Sequence, residues 1–166
     1  MTYSEMKRMD KKREDMTPEE LEECRKRGKR ARRRGRTGES EIAHILQEYG
    51  FEGERGVQYC GRRGNADVVG LDHVHLEVKR VEQLQLRAAI KQSQDERRKG
   101  EIPMVCHRRN GEPWYCTMDM RVFMDMWAAL SEEARMLVAE KYESRETSKC
   151  KKKNAQYAEK SGKKDS

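Results

Sequence analysis

Two short β-branched runs, 66–70 and 74–80, flank the turn Leu71-Asp72-His73, and no other stretch constrains the fold as closely. Strand-prone residues on either side of a Gly/Asp turn predict an antiparallel hairpin. Strand side chains alternate between faces, so Glu77 and Lys79 share one face while Leu76 and Val78 share the other. Asp67 stands at the mouth of the first strand and can converge with Glu77 and Lys79 on one point. Carboxylates at such a point hold a hard divalent cation, and a lysine orients or activates a water. Phosphodiester hydrolysis requires that equipment.

Charge narrows the partner. Charged residues make up 40% of the 166 and apolar residues only 34%, so part of the chain lies outside any packed core. The formal net charge of +7 is unevenly spread: residues 25–36 are almost wholly Arg and Lys, and 149–153 and 160–164 repeat the theme. Concentrated positive charge favours a polyanion, and nucleic acid is the expected partner. No apolar run approaches the ~20 residues that span a bilayer, and the first residues lack the apolar stretch of a signal peptide. The five cysteines are scattered and form no Cys-x-x-Cys pair, which predicts reduced thiols and a cytoplasmic location. Cys106, His107 and Cys116 read as strand residues in preference to a metal site.

The pattern divides the chain into a basic, charged helical extension (1–34), a catalytic-type domain (35–143) and a basic, disordered tail (144–166). Thr17-Pro18-Glu19-Glu20 is a helix start, and a helix over about 18–33 is expected to fold weakly by itself. Thr37 is expected to cap a second helix that runs to Tyr49, with Ile42, Ile45, Leu46 and Tyr49 on one face and Gly50 ending it. A strand near 57–60, a basic glycine loop at 61–64 and the hairpin follow. Then come a helix over 84–99, strands at 103–108 and 114–118 joined at Asn110-Gly111, a helix capped by Asp119, and another from Ser131 to Tyr142. This order predicts an α/β fold with a mixed central β-sheet flanked by helices.

At these residues the chain resembles the PD-(D/E)XK nuclease superfamily, and within it the archaeal-type Holliday junction resolvases and their phage relatives. The resemblance covers roughly 35–127. It is carried by Glu39 on a helix, Gly50-Phe51 after it, Arg55, Asp67 and Glu77-Val78-Lys79, with Gln92, Gln94 and Pro103-Met104-Val105 beyond. Where the superfamily has Pro-Asp this chain has Ala66-Asp67, a departure that keeps the carboxylate. The resemblance implies a restriction-endonuclease-like fold. It also implies a catalytic set of Glu39, Asp67, Glu77 and Lys79, and a Mg²⁺ site (Mn²⁺ substituting) made by Glu39, Asp67, Glu77 and the Val78 carbonyl. Glu41 lies roughly 200° from Glu39 around a helix, so only one can face the site. Periodicity does not choose between them. The resemblance selects Glu39 and leaves Glu41 as a solvated residue.

Arg55, Arg62, Arg63, Arg80 and Gln92, with Arg32, Arg33, Arg34 and Arg36 of the basic run, are the expected DNA contacts. Gln92 and Gln94 are followed four residues later by Glu96 and Arg98, so the Gln-x-x-x-Tyr of some exonuclease branches is absent. The function implied is a metal-dependent endonuclease for branched DNA in recombination, a Holliday junction resolvase acting as a homodimer. Met118, Met120, Phe123, Met124, Met126 and Trp127 supply either a dimer interface or a helix-on-sheet face. Two alternatives stand beside it: another nuclease of nicking, repair or restriction type, and a basic DNA-binding protein without catalysis.

Overall fold

Thr17 opens the first helix by a reciprocal cap: its hydroxyl accepts from the Glu20 N–H, and the Glu20 carboxylate accepts from the Thr17 N–H at 2.8 Å. The computed structural model describes residues 16–56 and 66–162, with side chains described as far as 148. Helix α1 runs unbroken over Pro18–Glu48, where the sequence predicts two helices. Thr37 does not cap a second one. Its hydroxyl instead donates back to the Arg33 carbonyl at 2.9 Å. The helix persists because Arg, Lys, Ala and Glu are good helix formers and each internal glycine costs only about 1 kcal/mol. No boundary at 34/35 interrupts it.

The sheet follows the predicted mixed pattern. Strands β1 (Glu54–Arg55), β2 (Val68–Val69), β3 (Val74–Arg80), β4 (Ile102–Arg108) and β5 (Tyr115–Thr117) lie side by side in chain order. Every pairing is antiparallel except β3 with β4, which run parallel across helix α2 (Leu86–Glu96). The predicted hairpin forms with Val68 opposite Leu76. Its turn needs glycine at 70, where φ is +108° and an added Cβ would stand 2.1 Å from the Glu52 carbonyl oxygen. The strand expected at 57–60, the loop 61–64, and with it Arg62 and Arg63, lie outside the described residues.

Two different interiors cover the two faces of β3. Leu76 and Val78 join Ile42, Ala43, Val68, Met104 and Cys106 in the apolar core under α1. His75 and Glu77 point the other way and are buried together with Ala89 and Ser93 of α2. The expected apolar stripe of α1 holds at Ile42, Ile45 and Leu46, but Tyr49 caps the helix end and is exposed.

A second compact unit begins at Asp119, earlier than the predicted domain end at 143. Asp119 caps α3 (Met120–Ala129) by accepting from the Arg121 N–H, and the Ser131 hydroxyl accepts from the Ala134 N–H at the start of α4 (Glu132–Gly162). Within this unit Phe123 stacks on Trp127, and the Arg135 guanidinium lies over the same indole. Helix α4 continues through residues expected to be disordered. The stretch 144–161 contains neither proline nor glycine, so nothing local breaks the helix. Among the described residues no helix is long and apolar enough to cross a membrane.

Gly38 lets α1 settle on the sheet. A Cβ there would lie 3.1 Å from the Arg80 Cβ and 3.3 Å from the Trp114 ring. Gly38→Val should therefore force α1 off β3 and cost about 1–3 kcal/mol, read as a lowered urea midpoint with an unchanged slope.

Candidate active site

Just before β2 begins, the Asp67 side chain takes over the work of the ladder. Its backbone N–H still bonds the Leu76 carbonyl at 2.9 Å, while its Oδ2 accepts the Val78 N–H at 2.8 Å. The hydrogen bond to Val78 aims the carboxylate along β3, toward Glu77. In a strand the N–H and C=O of one residue point to the same edge, so the Val78 carbonyl is directed to the Asp67 side as well. Lys79 donates to Glu77 Oε1 and to Gln92 Oε1, the latter at 3.0 Å, which brings α2 into the site. Gln92 thus lines the cluster.

Glu39 approaches from α1. Its Oε2 accepts from Arg55 Nη2 at 2.6 Å and Nε at 2.9 Å, and its charge is close enough to raise the pKa of Asp67. Glu41 points elsewhere and is not the solvated residue expected from the sequence. Oε1 accepts from Arg80 at 2.9 Å and Oε2 from the Trp114 indole at 3.0 Å; Arg108 lies 3.0 Å from Oε2. Both oxygens are committed to fastening α1 to the sheet. Glu39, Asp67 and Glu77 differ: among the described residues each spends one oxygen on a protein donor, and the other takes no hydrogen bond.

Two expected DNA contacts therefore have internal partners. Arg80 is held by Glu41 and Asn110, and Arg55 by Glu39. Arg80 is mostly buried in its pairing with Glu41. Arg55 is more exposed and stands at the rim. Arg32, Arg33, Arg34 and Arg36 are exposed along α1.

The electrostatics follow from burial. Glu77 is 2% exposed, and its pKa is pushed up to about 7, first by burial and next by the Asp67 charge, with the Lys79 hydrogen bond opposing. Asp67 is raised by burial too, opposed by the Val78 N–H and reinforced by Glu39. Oxygen-only donors whose ionised forms crowd together suit a hard divalent cation, which relieves that repulsion. The set fits Mg²⁺ or Mn²⁺ on donor type.

His75 and Glu96, which the sequence does not single out, lie beside Glu77. One ligand atom each from His75, Glu77 and Glu96 lie within 4.8 Å of one another. The signal was present: His75 is two residues before Glu77 on the same strand face, and Glu96 is one helical turn after Gln92. Burial lowers the pKa of His75, against the opposing charges of Glu101, Glu96 and Asp67. Cys106 lies in the apolar core, where burial pushes its thiol up to about 12 and keeps it protonated. His107 meets Thr117 at 3.1 Å.

Comparison with known proteins adds no relative. No family model matches the chain, and neither the curated proteins nor the solved structures searched contain a match.

The two helical glutamates should separate by experiment. Glu41→Ala should cost about 1–3 kcal/mol because it strands two partly buried arginines and an indole N–H. Glu39→Gln loses an exposed-side pair and should stay within about 1 kcal/mol. Chemical denaturation of both variants checks this.

The raised pKa of Glu77 fixes a second expectation. Between the ordinary carboxylate range and about pH 7 the folded, metal-free chain keeps a proton that the unfolded chain has lost, so stability falls as pH rises through that window. His75, lowered in the fold, contributes the opposite slope at the acid end. The difference between wild type and Glu77→Gln isolates the carboxyl: metal-free melting curves should show Glu77→Gln gaining on wild type as pH rises toward and past 7.

Proposed function

We propose that the chain is a divalent-metal-dependent endonuclease acting on branched DNA, most specifically a Holliday junction resolvase with a restriction-endonuclease-like core. The observation that carries the reading is the convergence of Asp67, Glu77 and Lys79, with Glu39 on the Asp67 side, from a helix and two strands distant in sequence. The mixed sheet with its parallel β3/β4 crossover supports the fold reading at the level of class. The exposed arginines of α1 and the net charge of +7 support a nucleic-acid substrate.

In this reading Asp67, Glu77 and the Val78 carbonyl would hold Mg²⁺ or Mn²⁺, with Glu39 helping directly or through water. The bound ion would stabilise charge on the phosphoryl oxygens and lower the pKa of water. The protein's own part is positioning. Asp67 is oriented by the Val78 N–H, and Glu77 by Lys79. Gln92 accepts from Lys79 and steadies it, and the lysine would orient the attacking water. Arg55, held at Glu39, stands where it can turn to a phosphate. Two symmetric cuts across a junction call for two active sites, hence a homodimer. Exposed Met120, Phe123, Met124 and Met126 on α3 offer apolar surface for it.

A nicking, repair or restriction-type nuclease would use the same residues, and a non-catalytic DNA-binding protein would use the same basic charge. Cleavage of a synthetic four-way junction, a linear duplex and single strands in Mg²⁺ separates the three. Asp67→Asn and Glu77→Gln should each lower junction cleavage by at least about 100-fold while leaving junction binding intact, since removing acids lessens repulsion of phosphate. Equal cutting of linear duplex would favour the second reading. Absence of Asp67-dependent cutting on every substrate, with binding retained, would favour the third.

A further inference from the structure

The apolar face of β3 is packed, but the opposite face is filled with groups that an ordinary core avoids. His75 is 0% exposed, and neither ring nitrogen has a hydrogen-bond partner among the described residues. Its nearest acidic neighbour on the Nδ1 side, Glu101, is 3.7 Å away, beyond hydrogen-bond distance. Ser93 of α2 is also 0% exposed, with its hydroxyl likewise unpartnered among the described residues. Leaving a buried polar group unsatisfied costs about 1–3 kcal/mol, and native proteins rarely keep such groups together unless something else satisfies them.

Helix periodicity supplies the third wall. Ala89 and Ser93 are the buried residues of α2, and Glu96 follows Ser93 by three positions on the same face. Its carboxylate reaches the space beneath β3, where one donor atom each from His75, Glu77 and Glu96 come within 4.8 Å of one another.

We propose that His75, Glu77 and Glu96 form a second cation site, selective for a transition-metal ion of the Mn²⁺, Co²⁺ or Zn²⁺ type over Mg²⁺. A neutral imidazole nitrogen beside two carboxylates makes a mixed donor set, which such ions accept and Mg²⁺ disfavours. Glu77 is shared with the hydrolytic centre proposed above, so this site borders that centre. Its existence rests on the buried imidazole and the α2 carboxylate and does not require that the chain cut DNA. An ion here would join α2 to β3 through Glu96, His75 and Glu77.

The test is a Mn²⁺ titration of the untagged, metal-stripped chain by electron paramagnetic resonance, with pulsed measurements for coupling to ¹⁴N. Wild type should bind two Mn²⁺, one showing nitrogen coupling that excess Mg²⁺ does not abolish. Glu96→Gln and His75→Gln should each lose the nitrogen-coupled ion and retain the other. Glu96 is only partly buried, so its variant keeps the test open if His75→Gln fails to fold. Asp67→Asn should lose the other ion and keep the nitrogen coupling. A wild-type spectrum without ¹⁴N coupling, or coupling untouched by Glu96→Gln and by a folded His75→Gln, would overturn the second site and leave the hydrolytic reading standing. Nitrogen coupling that depends on Glu96, with Mn²⁺ stoichiometry unchanged by Asp67→Asn, would uphold this site and remove the first.

Discussion

Glu77 is a carboxylate that is only 2% exposed, on the central strand of a sheet covered by helices on both faces. Burying an isolated charge costs far more than any single contact returns, so the surroundings must compensate or the group must hold its proton. Both responses are visible. Lys79 donates to one oxygen, and the pKa rises to about 7. The rest of the arrangement follows from this position. Asp67 must stand beside the strand, Gln92 must hold the lysine, and small residues of α2 must leave room for polar groups.

The same strand is the anchor of the fold. Leu76 and Val78 alternate with His75, Glu77 and Lys79, so one seven-residue segment builds the apolar core on one side and the charged interior on the other. This division sets the acidic cluster on a strand that is held at both edges. β3 has hydrogen-bonded neighbours on both edges, and the acidic side chains inherit that rigidity. Helix α1 is fixed to the same strand by Gly38 at close approach and by the Glu41 links to Arg80, Arg108 and Trp114. Glu41 therefore positions Glu39. Two residues apart on a helix, the pair does two jobs because it faces two directions.

Several elements are legible in the sequence. The hairpin at 68–80, the Gly70 turn, the Thr17 and Asp119 caps, and the strands at 102–108 and 115–117 all follow short-range rules of alternation and capping. The missed features depended on what surrounds a segment. Thr37 is as good a cap as Thr17 by residue type, yet the anchored stripe of Gly38, Ile42 and Ala43 on one side and helix-forming residues on the other carry the helix through it. Residues 144–162 read as a solvated tail by charge, yet extend a helix already started at Ser131.

Sequence alone determined which residue types were available and which shared a strand face: an acid at 67, an acid and an amine at 77 and 79, and apolar residues between them. Tertiary structure alone decided which helical glutamate turns toward Asp67, which arginines are spent inside the protein, and that His75 and Glu96 belong beside Glu77. The reason is range. Alternation and capping act over a few residues along the chain, whereas a hydrogen bond from Trp114 to Glu41, or an imidazole brought near Glu96, joins positions that only folding makes neighbours.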